Sequence, residues 1–367
     1  MREGWTYKKF EDCLVKAPKA KQVQTSQYNT GTKYPIVSQE DTLISGYFDD
    51  DAYLYHIDNP IVVFGDHTRV LKYIDFDFVV GADGVKILIP KEFLNAKLLY
   101  YYLLWYKIPN LGYSRHYKLL KEIDIPIPPL SEQQSIVAEL DKINELISLK
   151  KAQLSDLDAL AQSIFYDMFG DPIENEKGWE VKKLGEICNI GTGATPSRIQ
   201  ENRYFGGNIP WVKTTEVCYQ DIYDTEEKIT PLAIEETNCK LYPEGTLLMA
   251  MYGQGKTRGQ VAKLMVPAAT NQACAAIIVN VEKLCIDYLY MLLIIQYDNI
   301  RAMAQGGNQA NLNMKLVGSI PLPLPPLSLQ QEFAKRIELI EQQKAQISST
   351  IKDLETLLAS RMQYWFD

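Results

Sequence analysis

The sequence is poor in metal-binding residues and in the spacings that would make them useful. Six cysteines stand at 13, 188, 218, 239, 274 and 285, and three histidines at 56, 67 and 116, among 367 residues. No two cysteines lie within ten residues, so there is no CxxC pair, and a zinc site is not expected. Cysteines this few and scattered read as buried, reduced thiols of a cytoplasmic protein. The opening MREGWTYKKFEDC lacks the apolar core of a signal peptide. The longest apolar stretches, LLYYYLLWY (98–106) and YLYMLLIIQY (288–297), reach about half of the ~20 residues a membrane span needs. They are expected as buried helices, with no membrane partner. Basic excess is missing too. With 38 Lys+Arg against 46 Asp+Glu, the net charge of −8 argues at first sight against a nucleic-acid binder that works by bulk positive charge.

Catalytic motifs are also absent. Asn59-Pro60 runs into Ile61-Val62, so there is no NPPY-type run, and no GxSxG or HExxH occurs. The GTG at 191–193 continues as Ala194-Thr195-Pro196 and lacks the GxGxxG that opens a cofactor-binding helix. AMYGQGKTRG (250–259) approaches the phosphate-loop pattern GxxxxGK[ST], but Ala250 stands at the first glycine. The segment after it, GQVAKLMV, reads as a strand, so a hairpin with a Lys256-Thr257-Arg258 tip is expected. The chain reads as a binder and not as an enzyme.

What the sequence does have is a repeat. IPIPPLSEQQ (125–134) returns as LPLPPLSLQQ (322–331), 197 residues later, and Gly4-Trp5 returns as Gly178-Trp179, 174 residues later. The second unit is thus 23 residues longer in its globular part. Each unit holds GW, a mixed body, a short apolar helix, a proline-rich strand and a long helix. The predicted organisation is a first body (1–130), a long helix (131–170), a second body (171–327) and a second long helix (328–367). The length suits two domains of roughly 150 residues.

Ser131 with Gln134, and Ser328 with Gln331, match the capping-box pattern at the start of each long helix. Apolar residues then recur at steps of three and four. The seam runs through Ile136, Leu140, Ile143, Ile147, Leu154, Leu157, Ala161, Ile164 and Met168. In the second helix it runs through Phe333, Ile337, Ile340, Ile347, Ile351, Leu354, Leu358 and Trp365, with Lys150, Lys344 and Arg361 as charged exceptions. This is a heptad pattern, and the matching registers predict that the two helices pair with each other, antiparallel.

Both bodies show short β-like runs punctuated by turns, such as IVVFG and FVVGADGVKILIP in the first and EGTLLMAMYG and ACAAIIVNV in the second. The predicted class is α/β (α+β): two bodies joined by two long antiparallel helices in a pseudo-two-fold repeat. A counterpart of the 256–258 tip appears in FGDHTRVLKYI, with His67-Thr68-Arg69 at its turn. Two matched tips bearing Thr-Arg suit contacts to phosphates and base edges, because arginine donates a bidentate pair to guanine.

The repeated IPxPPLSxQQ with its long helix resembles the specificity (S) subunit of type I restriction–modification systems. So do GTGATPSRIQENRYFGGNIPWVKTTEV (191–217), YGQGKTRGQVA, PAATNQACAAI (267–277) and GNQANLN (307–313). The resemblance covers the whole chain. The first body departs from it in having FGDHTR…GADGVKIL (64–88) in place of the TPS…GGxIPW run, which suggests a different target sequence. The resemblance implies that each body is a target recognition domain reading one half of a bipartite asymmetric site in double-stranded DNA. It implies that the helices are spacers that dock methyltransferase (M) subunits, two of them, and through them the restriction (R) subunits. It implies no catalysis in this chain, with S-adenosylmethionine, ATP and Mg on the partner subunits. The competing reading is a two-domain coiled-coil scaffold that never touches DNA. The residues expected at DNA are His67, Thr68, Arg69 and Lys72, with Ser114, Arg115 and His116, in the first body. In the second they are Thr195, Ser197, Arg198, Lys213, Thr214, Lys256, Thr257 and Arg258, with the amides Asn271, Gln272, Asn308, Gln309 and Asn311 suited to adenine edges.

The charge can now be divided. Residues 1–130 hold 16 basic and 16 acidic groups, 131–170 hold 3 and 7, 171–327 hold 14 and 17, and 328–367 hold 5 and 6. Five of the eight surplus negative charges lie in the helix segments, and the bodies are near neutral.

Overall fold

In the computed structural model, described for residues 2, 4–112, 114–253, 255–304 and 311–367, helices and small sheets alternate. The chain divides into two compact units: residues 1–152 with 348–367, and residues 153–347. Two 40-residue helices, Leu130–Phe169 and Leu327–Phe366, each contribute to both units. The sequence-based division, which gave each body a separate helix segment, is therefore replaced by one in which each unit owns part of both helices.

In the first unit, strand Thr6–Lys9 pairs antiparallel with the proline strand Asp124–Ile127. A four-stranded antiparallel sheet has the order Leu14–Val15, Val85–Pro90, Ile61–Gly65, Leu71–Ile74. A mixed sheet builds on Phe78–Gly81, which takes Gln22–Val23 and Tyr34–Val37 in parallel and Leu54–Tyr55 antiparallel. The apolar stretch 98–106 forms a helix, Ala96–Tyr106, capped by the Asn95 side chain, which accepts from the amides of Lys97 and Leu98. Its Leu98, Leu99 and Tyr102 are buried with Phe64 of the sheet and with Ile136, Leu140, Met362 and Phe366 of the two long helices.

The second unit repeats the plan with its strands grouped differently. Glu180–Lys183 pairs antiparallel with Pro321–Leu324. A five-stranded sheet runs Asn189–Thr192, Cys274–Ile278, Leu247–Ala250, Val261–Leu264, Asp221–Ile222, and a three-stranded one is centred on Phe205–Val212. Helix Ile286–Ile295 carries the second apolar stretch, and no described helix is long and apolar enough to cross a membrane. Tyr288 from this helix lies 4.7 Å from Phe169 and 5.5 Å from Phe165, ring centre to ring centre, and its hydroxyl donates to the Pro323 carbonyl at 2.9 Å.

The long helices run antiparallel within each unit. In the first, Glu139 faces Arg361 and Lys151 faces Glu355. In the second, Asp158 faces Lys344, and Phe165 meets Phe333. Most of the predicted seam is buried, including Ile136, Leu140, Ile143, Ile147, Phe333, Ile337, Ile340, Ile347 and Ile351. Lys344 and Arg361 break the apolar pattern without being orphaned. Lys344 bridges Asp158 and Glu341, and Arg361 pairs with Glu139, whose carboxylate also accepts from the Trp365 indole at 3.0 Å.

The capping boxes do not form. Each helix starts one residue earlier than expected, at Leu130 and Leu327, and Ser131 and Ser328 lie inside the first turn. The carbonyls of Pro129 and Pro326 take the first amides instead. The glutamine between the expected pair does the anchoring. Gln133, fully buried, accepts from the Asn95 amide (2.7 Å) and donates to the carbonyls of Phe93 (2.8 Å) and Pro128 (2.9 Å). Gln330, also fully buried and 197 residues later, accepts from the Cys285 amide (2.8 Å) and donates to the Pro325 carbonyl (2.8 Å). Each glutamine thus ties the start of a long helix to the residue that precedes the short apolar helix.

Urea unfolding of Gln133→Ala and Gln330→Ala should each show a loss of at least about 2 kcal/mol, because buried amide and carbonyl groups lose their partners. Ser131→Ala should stay within about 0.5 kcal/mol, as for an ordinary surface site; a loss near 1 kcal/mol would restore the serine as a cap. The Glu139 carboxyl is held below its usual range by the Arg361 hydrogen bond, with help from Trp365 and against partial burial. Its folded value lies under the unfolded one, so the bridge contributes above the unfolded value of about 4.3 and is lost as pH falls through the folded value. Both side chains are about one-third exposed, so the effect is small. Urea midpoints of Glu139→Gln measured from neutral to acid pH should show a flatter acid limb than those of the parent; identical limbs would remove the bridge from the account.

Candidate nucleic-acid interface

The 250–259 segment is a hairpin and opens no helix. Leu247–Ala250 pairs antiparallel with Val261–Leu264, and the amides of Gly259 and Ala250 close the turn on the carbonyls of Ala250 and Gln260. Gly253, Gly255 and Gly259 take φ of 138°, 69° and 89°, which only glycine adopts readily. Lys256 is exposed, Thr257 and Arg258 are half-buried, and neither cation has an ion pair among the described residues. The Arg258 Nε is buried without a hydrogen-bond partner among the described residues. Two residues that the sequence gave no reason to select, Tyr297 and Arg301, reach the tip. The Tyr297 hydroxyl donates to the Lys256 carbonyl, and Arg301 Nη1 donates to the Arg258 carbonyl at 2.9 Å.

Seven other predicted residues of this body form one cluster. Thr195 donates to the Gln272 side-chain carbonyl at 2.6 Å, and Thr214 donates to Asn271 Oδ1 at 3.1 Å. Asn271 Oδ1 also accepts from the Ala273 amide, a turn-forming bond, so its carbonyl serves the loop. Arg198 donates to Glu227 (2.6 Å) and Glu201 (3.2 Å) and stacks 4.0 Å from the Phe205 ring centre. Lys213 bridges Glu226 and Glu227. Burial works to raise the Glu227 carboxyl, but Arg198 and Lys213 hold it below its usual range. The charges of Arg198 and Lys213 are therefore matched within the protein. Ser197 and Gln272 are exposed. The Met251 amide donates to the Ala273 carbonyl and the Leu312 amide to the Met251 carbonyl, so the hairpin, the 271–273 loop and the chain beside half-buried Asn311 meet. Asn308 and Gln309 lie outside the described residues.

The first body brings its two predicted segments together by other means. The Asp66 carbonyl accepts from both the amide (2.8 Å) and Nδ1 (2.9 Å) of His116, and Asp66 Oδ1 accepts from the Tyr117 amide at 2.7 Å. The Leu111 amide donates to His116 Nε2 at 3.0 Å, which places the ring proton on Nδ1. His116 is fully buried and acts as a brace between loops. Arg69 adopts a left-handed φ of 64°, and its Nη1 donates to the Ile108 carbonyl at 3.0 Å. Thr68 donates to the Gln39 carbonyl at 2.7 Å. Lys72 is buried, with its ammonium on the carbonyls of Ser38 (2.8 Å) and Thr42 (2.6 Å), and burial lowers its basicity. The sequence expected Lys72 at a surface; the structure uses it to close the 38–42 loop. Half-buried His67 and Ser114 and exposed Arg115 remain at the face.

Sequence reasoning also passed over Lys16, Lys19 and Lys21, exposed residues in the run KAPKAK with no ion pair among the described residues. Lys16 shares a cavity of about 460 Å³ with Lys86 and Tyr117, the latter joined to Asp66. Three lysines in six residues was the available signal. No group of three or more His, Cys, Asp or Glu able to hold a metal ion occurs among the described residues. Burial pushes the thiols of Cys13 and Cys188 up to about 11, so both are inert as nucleophiles.

A specificity subunit of the type I restriction enzyme EcoR124I/EcoR124II of Escherichia coli is 24% identical over 363 residues, covering 94% of this chain and 88% of that protein. The crystal structure of a type I restriction–modification S subunit from M. genitalium superposes with a TM-score of 0.59 at 16% identity, over 99% of this chain and 96% of that one. A chain from a study of complex assembly and conformational transition in a type I R-M system gives 0.56 at 16% identity, over 100% and 98%. Residues 2–159 and again 176–356 match the family described as the type I restriction modification DNA specificity domain, and the chain belongs to that family.

Proposed function

We propose that this chain selects the DNA sequence for a type I restriction–modification complex, with one body reading each half of a two-part asymmetric site. The observation that carries this reading is the doubled family match coinciding with two braced hairpin tips, one per body. Each tip projects from a sheet and is held by bonds to its own body, as base readout requires. Lys256, Arg258 and Arg115 have no carboxylate partner among the described residues and are the side chains best suited to meet DNA. The paired long helices set the separation of the half-sites and dock two methyltransferase subunits, through which restriction subunits join. The solved relative studied for complex assembly supports such partnering. The chain itself performs no chemistry, and S-adenosylmethionine, ATP and Mg belong to the partners, all in the cytoplasm.

The near-neutral bodies divide the work. Phosphate neutralisation supplies most of the affinity for DNA, while base contacts supply choice. The partners provide most of the first, and this chain provides the second.

Arg258→Ala should weaken or relax readout in one half-site only, by about 1–3 kcal/mol if the guanidinium meets a base. Binding of the assembled complex to duplexes altered in one half at a time measures this, and equal loss at both halves would contradict two separate readers. Inserting one heptad between residues 152 and 153 and one between 347 and 348 adds about 10 Å to each helix. Sequencing of methylated bases should then find both half-sites unchanged and their spacing longer by ~3 base pairs; the original spacing would sink the ruler.

A further inference from the structure

Nothing in the local sequence of the 253–259 turn makes it rigid. Three of its residues are glycines with positive φ, and such residues gain the most freedom when unrestrained. Beyond the hairpin's own closing bonds, it is held from outside. The Tyr297 hydroxyl donates to the Lys256 carbonyl at 2.5 Å. Arg301 Nη1 donates to the Arg258 carbonyl at 2.9 Å and to the Tyr297 hydroxyl at 3.0 Å. The Arg301 guanidinium lies 5.2 Å from the Tyr297 ring centre, and Tyr219 meets that ring edge-on at 6.0 Å. Gly259 lets the turn settle on this pair. A Cβ there would stand 3.2 Å from Arg301 Cγ and 3.4 Å from Tyr297 Cδ2.

We propose that Tyr297 and Arg301 are positioning residues that set the sequence discrimination of the second body. They fix the backbone on either side of Thr257, and so the origin and direction of the Arg258 side chain, without meeting a base themselves. The inference rests on the reading of Arg258 given above. A bidentate arginine contact discriminates only when the guanidinium plane is held to a narrow range, whereas attraction to phosphate tolerates a loose side chain. Loosening the turn therefore removes choice before it removes affinity. Arg258 is half-buried and has no ion pair among the described residues, so its charge is not committed to a carboxylate of the protein. The first body meets the same need with different groups, the His116 ring and amide and the Tyr117 amide on Asp66. A braced turn is thus common to both readers, and the brace itself is not.

The test uses the complex with its methyltransferase subunits and compares methylation of the cognate duplex with that of duplexes changed at one base in either half-site. Arg301→Met should lower the cognate preference at the second body's half-site about tenfold, with the other half-site unchanged and cognate affinity within about threefold. Tyr297→Phe, which keeps the ring and the Arg301 bond to the Arg258 carbonyl but loses both bonds of the hydroxyl, should shift the preference in the same direction by less. Arg301→Lys, which can still donate to the Arg258 carbonyl, should recover part of it. Full discrimination in Arg301→Met and Tyr297→Phe, alongside its loss in Arg258→Ala, would overturn the brace and leave the reading by Arg258 intact. Full discrimination in Arg258→Ala would overturn that reading and the brace with it. Equal loss at both half-sites would mean general destabilisation and would also overturn the proposal. Should Arg301→Met fail to fold, Tyr297→Phe carries the test.

Discussion

A 40-residue helix with a narrow apolar stripe is not held by its own hydrogen bonds in water; it needs a surface against which to bury that stripe. Here the surface is the other long helix, met antiparallel within each unit, and the bodies build on that pairing. Phe366 and Met362 from the second helix complete the core of the first unit, while Phe165 and Phe169 from the first helix complete the core of the second. The buried glutamines make the link directional. Gln133 and Gln330 can satisfy their amides only if the proline strand, the long helix and the short apolar helix arrive in one arrangement. A body is therefore fixed on its helix by polar groups with a single solution and not only by apolar contact, which tolerates sliding.

The repeat made much of this legible. Two nearly identical ten-residue strings, 197 apart, mark equivalent places, and a three-four seam after each one identifies a paired helix. Burial was less legible than periodicity. SEQQ and SLQQ satisfy the capping-box spacing, but Gln133 and Gln330 face the core and the neighbouring Ser131 and Gln134 face water. The choice between those glutamines depends on packing that the local pattern does not contain. For the same reason the seam positions missed Phe165 and Phe366, one residue beyond the expected stripe.

The tips were legible as turns, because glycines, a threonine and cations between two apolar runs have few other uses. Which cations stay available was not. Arg69 and Lys72 are drawn to carbonyls, and Arg198 and Lys213 to glutamates that lie 29 and 13 or 14 residues away. Tyr297 and Arg301 lie 41 and 43 residues beyond the carbonyls they hold, on a short helix with no motif of its own. These relations are tertiary, and only folding creates them. They leave few cations without a carboxylate partner among the described residues of near-neutral bodies, in keeping with the proposal that the chain contributes choice more than grip.

The most direct test of that claim is the pattern of methylated bases in the source cell with and without this gene, read by sequencing that detects methylation. The account predicts a two-part motif, with two unlike halves separated by a fixed run of unspecified bases, that disappears when the gene is removed and returns when it is restored. An unchanged set of methylated sites after removal would contradict it.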